Sequence, residues 1–146
     1  MISLEWRAVE TTHHGVVGLE GRVGFLANRV EKCRVVLEVP AFDTMQGQGG
    51  DLFEALVQLR LALEVQDTFL KLNGSRLDVY PSGMQRDMIL GLNAYVMPMP
   101  RRTTKYEVVN IFDPAPRGTT IATVAEQREF RDQWARSPLM EDTSDG

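Results

Sequence analysis

The sequence predicts an α+β fold: a mainly antiparallel sheet packed by one long amphipathic helix, with a short helix and a C-terminal helix. Three observations carry this expectation. Val17, Leu19, Val23 and Phe25 alternate with Glu20, Arg22 and Gly24, the period of half-buried strands. Leu52, Leu56, Leu59 and Leu63 recur at the spacing of one helix face, widened by Phe53 and Val57. Two further helix starts, Ser82-Gly-Met-Gln85 and Thr123-Val-Ala-Glu126, have the capping-box pattern of Ser or Thr followed three residues later by Gln or Glu.

Taken in order, residues 3–9 and 16–39 read as strands, of which Cys33–Val39 is the clearest, rich in β-branched residues and closed by Pro40. Gly15, Gly18, Gly21 and Gly24 recur every three residues, but over too short a stretch for a repeat; glycines in hairpins mark bulges and turns. Thr44–Gly50 reads as a flexible loop. It lacks the Lys-Ser/Thr of a phosphate-binding loop. Asp51 with Glu54 opens the main helix, and Glu54, Gln58, Arg60 and Glu64 form its polar side. A strand at 68–72 precedes the polar segment 73–88. Met84 and Met88 pair on a short helix that Gly91 ends. Ala94–Met99 is a strand that Pro98 and Pro100 confine to an edge or end early. Tyr106–Phe112 fits a strand or a short helix equally, and Asp113–Pro116 is a turn. The last helix carries Gln127, Phe130 and Trp134 on one face and stops at Ser137-Pro138. One domain spans 1–137, and 138–146 is an acidic tail expected to be flexible.

Composition narrows the function classes. A chain of 146 residues with 43% apolar and 25% charged residues can bury one core and is not compositionally disordered. Sixteen Lys and Arg against twenty Asp and Glu give a net charge of -4, and three of those acids, Glu141, Asp142 and Asp145, lie in the tail. Nucleic acid binding needs a basic surplus or stripe. The one basic cluster, Arg101, Arg102 and Lys105, is short and has no interleaved aromatic platform in the sequence. Nucleic acid is therefore not the expected partner. Cys33 is the single cysteine, which precludes an intrachain disulfide and fits a reducing compartment. Glu5 and Arg7 interrupt the apolar run a signal peptide needs, and no run has the roughly 20 apolar residues of a membrane span. The expectation is a cytoplasmic protein with no membrane contact.

Chemistry-bearing residues concentrate in Asn73–Asp87: Asn73, Ser75, Arg76, Asp78, Tyr80, Ser82, Arg86 and Asp87. Ordering so many long polar side chains costs entropy, so compensating contacts are predicted. Arg76 and Arg86 are expected to pair with Asp78 and Asp87, in an order spacing does not assign. The alternative is a small enzyme or ligand-binding protein with a polar pocket around Asp78, Tyr80 and Arg86, where a clustered carboxyl could serve as acid or base. His13 and His14 lack further ligands at metal-site spacing, and adjacent strand residues point to opposite faces, so no metal is expected. No nucleophile motif joins Cys33 or Ser75 to either histidine. The residues thus point to a cofactor-free, non-enzymatic protein whose exposed Arg and Tyr suit a protein interface.

Leu72-Asn-Gly-Ser-Arg-Leu-Asp-Val-Tyr-Pro-Ser-Gly-Met-Gln-Arg-Asp-Met88, together with Ala94-Tyr95, Val109–Asp113, Val124–Gln127 and Trp134, resembles a family of small bacterial proteins associated with immunity to polymorphic toxins. The likeness spans roughly residues 50–137; Ile89-Leu90-Gly91 departs from the glycine-rich turn expected there. The resemblance implies a protein that neutralises a toxin by direct binding, and an acidic immunity protein commonly meets a basic toxin domain because opposite potentials speed encounter. It implies no catalytic residue.

Overall fold

The computed structural model describes residues 3–102 and 106–140. Strands β1 (Glu5–His13), β2 (Val16–Leu26), β3 (Cys33–Val39), β4 (Phe42–Gly49) and β5 (Thr68–Leu70) form an antiparallel sheet in the order β4-β3-β2-β1-β5. Positive φ angles at His14 (49°) and Gly15 (79°) give the β1–β2 hairpin the turn that suits strand twist. The inner face buries Val9, Val23, Phe25, Val35 and Leu37, while Arg22 and Arg34 of the outer face are exposed. The α+β expectation holds.

Helix α1 (Leu52–Val65) starts where Asp51 accepts the Glu54 N–H (2.7 Å), and it buries all four predicted leucines. Burial of each is worth roughly 1.5–3 kcal/mol, so this stripe is the main link between helix and sheet. Two expectations need correction here. Thr44–Gly50 is not a flexible loop: Phe42–Gly49 is strand β4. Its glycines are there for the helix, because a Cβ on Gly47 would lie 2.5 Å from Leu59 N and one on Gly49 2.6 Å from Ala55 N. Nor is Arg60 on a solvent side; it is 4% exposed.

A smaller antiparallel sheet, β6 (Val79–Tyr80), β7 (Asn93–Val96) and β8 (Val108–Asn110), follows in the order β6-β7-β8. Tyr106–Phe112 thus contributes a strand. β7 does end before Pro98, but it is the central strand, not an edge. Helix α2 (Gly83–Ile89) and helix α3 (Val124–Arg136) begin with complete capping boxes at Ser82 and Thr123. Leu90 (φ 54°) and Gly91 (φ 70°) end α2 in the left-handed region. The two sheets share one core in which Phe25 stacks on Phe112 at 4.1 Å. Of the expected tail, Met140 donates its N–H to Arg101 O (2.7 Å), and 141–146 lie outside the described residues. Among the described residues no helix is long and apolar enough to cross a membrane.

Candidate functional site

The polar segment divides into a buried root and an exposed tip. In the root, Asn73, Ser75 and Arg76 are buried. Asn73 donates to Asn110 O (3.2 Å) and accepts from Arg76 (3.2 Å). Arg76 forks onto both carboxylate oxygens of Asp78 at 3.0 and 3.1 Å, the strong bidentate geometry. Below it lies a polar knot that spacing gave no reason to expect. Arg60 donates to Gly74 O (3.1 Å), Ala122 O (2.9 Å) and Gln127 Oε1 (2.6 Å). Gln127 in turn donates to Gly74 O (3.0 Å), Arg76 O (2.9 Å) and Val79 O (2.9 Å). Burial pushes the Arg60 pKa down to about 10, partly offset by the Glu64 carboxylate. The charge is held by carbonyls and one amide rather than by a paired carboxylate. Ser75 Oγ is buried without a hydrogen-bond partner.

The tip is α2 with its flanks. Tyr80 packs edge-on against Phe53 (5.0 Å), and Arg131 lies over its ring (5.7 Å). Ser82 accepts the Gln85 N–H (3.1 Å) while Gln85 Oε1 accepts the Ser82 N–H (2.8 Å), as its capping box requires. Of the two expected Arg–Asp pairs only Arg76–Asp78 forms; Arg86 pairs with neither Asp78 nor Asp87 and binds Asp51 (2.7 Å), with Glu54 at 3.6 Å. Burial lowers the Arg86 pKa, but the hydrogen bond and charge of Asp51, helped by Tyr80 and Glu54, outweigh it and leave the pKa raised. Asp87 is exposed, and its backbone carbonyl accepts from Arg29 (2.8 Å); Met88 O accepts from the same guanidinium. Four of the eight predicted site residues, Asn73, Ser75, Arg76 and Asp78, belong to the root, and Tyr80 packs where root and tip meet. Ser82 and Arg86 pin the tip, and only Asp87 is fully on the surface.

Asp78 turns to Arg76, while Tyr80 and Arg86 both lie against the Phe53 ring, at 5.0 and 5.6 Å. Surface concavities of about 510, 390 and 400 Å³ are lined by other residues, the first by Arg22, Glu38 and Thr44, the second by Val17, Phe69 and Ile121, the third by Ala8, Glu20 and Lys71. His13 and His14 do come together, with ring centroids 4.1 Å apart, because His14 lies in the turn and not on the strand. His13 nevertheless bonds Thr68 (2.6 Å) and stacks on Phe42, and among the described residues no group of three metal-ligating side chains forms. The sequence also hid an aromatic cluster: Tyr95, Tyr106 and Trp134 meet edge to face at 5.7 and 5.5 Å, with Arg101 5.0 Å from the Trp134 ring. The basic cluster therefore does have an aromatic neighbour, brought from α3; Lys105 lies outside the described residues. Arg101 also donates to Ala135 O (3.0 Å), which spends it on closing α3. No protein-family model matches the chain, and no curated protein matches it.

Proposed function

We propose that this chain is a binding protein that neutralises a basic toxin domain by direct contact, with α2 as its recognition surface. The observation that carries this reading is that α2 buries none of its residues and yet is held from several sides. A free seven-residue helix is marginal in water. This one is fixed by the Ser82 box, by Arg86 on Asp51 and by Arg29 on its last carbonyls. What it presents is Met84 (71% exposed), Met88 (67%) and Ile89 (41%), with Asp87 beside them.

Exposed apolar side chains on a fixed element favour partner contact over fold stability. Methionine suits such a role because its flexible, polarisable side chain adapts to an opposing surface. Fixing the helix beforehand reduces the entropy lost on association. The net charge of -4 supports fast encounter with a basic partner. The pocket alternative has less support, since Asp78 is engaged by Arg76 and Arg86 by Asp51.

Co-expression with the product of the adjacent upstream reading frame tests the proposal. Growth should be arrested by that product alone and restored by this chain. A harmless neighbour, or killing undiminished by this chain with binding weaker than about 0.1 mM, would refute it.

A further inference from the structure

We infer that Asn73 is a latent modification site: its side-chain amide is kept intact by the closed root and is lost as ammonia when the root opens, leaving an aspartyl or isoaspartyl residue. Asn73-Gly74 is the one Asn-Gly step in the chain. Glycine after asparagine offers the least hindered backbone nitrogen, because no Cβ stands beside it. In an open chain that nitrogen gives its proton to water or hydroxide and attacks the Asn73 side-chain carbonyl carbon. The bond from this carbon to Nδ2 breaks, and ammonia leaves with a proton from solvent. The five-membered imide then takes up water at either carbonyl. One opening gives aspartate; the other routes the backbone through Cβ, as isoaspartate. Water is the only co-reactant.

The native geometry withholds the attacking nitrogen. Asn73–Ser75 forms a single 3-10 helical turn, and closing the imide needs ψ of Asn73 to rotate far from the roughly −20 to −30° of such a turn. Each N–H from 73 to 76 is also bonded, to Asp113 O (2.9 Å), Ile111 O (2.9 Å), Leu72 O (3.0 Å) and Asn73 O (3.1 Å) in turn. The nucleophile, Gly74 N–H, is the one held by Ile111. The carbon it would attack is not shielded: Arg76 donates to Asn73 Oδ1 (3.2 Å), which favours the charge that builds on this oxygen during attack. Protection therefore rests on the backbone and ends when 73–76 separates from Ile111. Packing explains why so labile a pair stands here. A Cβ on Gly74 would lie 2.5 Å from Leu56 Cδ2 and 3.0 Å from Ile111 Cβ, and the Asn73 side chain joins Asn110 O to Arg76. Conversion damages both contacts. An aspartyl carboxylate has no N–H for Asn110 O, and isoaspartate adds a backbone carbon beneath Leu56. Each opening that reaches the imide thus leaves a weaker root, whatever partner the protein binds.

The test follows the full chain in mildly alkaline buffer, in guanidinium chloride below the unfolding transition and in guanidinium chloride above it. Trypsin, cutting after Lys71 and Arg76, releases Leu72–Arg76, in which Asn73 is the only side-chain amide, for mass spectrometry. Conversion should be about 100-fold slower or more in buffer than in the unfolded chain, and should rise with denaturant below the transition as local opening becomes more frequent. Gln127→Leu, which loosens the contacts around Gly74 O, should speed conversion in buffer, and Asn73→Gln should stay unconverted even when unfolded. Chain converted while unfolded and then returned to buffer should unfold at lower denaturant than unconverted chain handled in the same way. Conversion in buffer within a few-fold of the unfolded rate would overturn the inference, as would no conversion at 73 in the unfolded chain. So would a folded-state rate that denaturant below the transition leaves unchanged, or a converted chain as stable as the original.

Discussion

Replacing Gln127 with leucine removes the centre of the polar knot. Its side chain is 1% exposed; the two N–H of its amide are shared among the carbonyls of residues 74, 76 and 79, and its oxygen accepts from Arg60. Gly74 O would retain Arg60, but the guanidinium would lose a 2.6 Å charge-assisted partner inside the protein. Stranding a buried charged donor costs about 1–3 kcal/mol, and weakening two buried carbonyls adds about 1 kcal/mol more. The expected loss is about 3 kcal/mol from a total of about 5–15 kcal/mol, a fall of roughly 6–12 °C in Tm. Urea unfolding followed by the fluorescence of Trp6 and Trp134 measures it directly. Arg60→Met/Gln127→Leu should be less destabilised than the sum of the two single variants, because Arg60→Met removes the charge that Gln127→Leu strands. A loss under about 1 kcal/mol for Gln127→Leu, or strict additivity in the double variant, would refute the reasoning.

Other consequences can be checked in the same unfolding assay. Gly47→Ala should destabilise by about 1–3 kcal/mol, because its Cβ would press on the α1 backbone, whereas Gly50→Ala, with nothing within 4 Å, should be close to silent. Leu56→Ala should cost about 2–5 kcal/mol, and a shift below half a kcal/mol would mean the leucine stripe faces solvent. Ser82→Ala should cost about 1 kcal/mol and lower α2 protection in hydrogen exchange without unfolding the root. The Thr123 N–H, donated to Glu126 at 2.8 Å, and the Thr123 hydroxyl hold the Glu126 carboxyl below its ordinary pKa. Its folded state therefore binds protons less readily, so its contribution is complete above the ordinary carboxylate range and fades as pH falls through and below that range. The stability difference between wild type and Glu126→Gln should shrink toward acid; a difference that grew would contradict this sign.

The sequence shows local chemistry more clearly than remote contacts. The leucine stripe, the Ser82 and Thr123 boxes and the end of α2 near Gly91 depend on residues within a few positions of each other, so spacing alone exposed them. β4 was hidden because its glycines answer to a helix packed on its face, a requirement no local pattern expresses. Arg60 looked like a solvent residue because the acceptor that stabilises its burial, Gln127, is 67 residues away in the chain. Arg86 passes over the nearby Asp78 and Asp87 for Asp51, 35 residues earlier, a distance no local spacing expresses. The density of polar residues in 73–88 did mark an ordered segment, but most of that density is architecture: Asn73, Arg76 and Asp78 are bonded to each other and to β8. The apolar residues of α2 were legible as an i, i+4 pair, and their exposure was not, since it depends on what the rest of the fold leaves uncovered.

Titration calorimetry of the purified upstream-frame product against this chain and against Met84→Asp/Met88→Asp bears most directly on recognition through α2. The wild type should bind more tightly than about 1 µM, and the double variant, with its fold intact by circular dichroism, should bind about 100-fold more weakly. Equal affinity of the two proteins, or no complex with the wild type at about 0.1 mM, would contradict it.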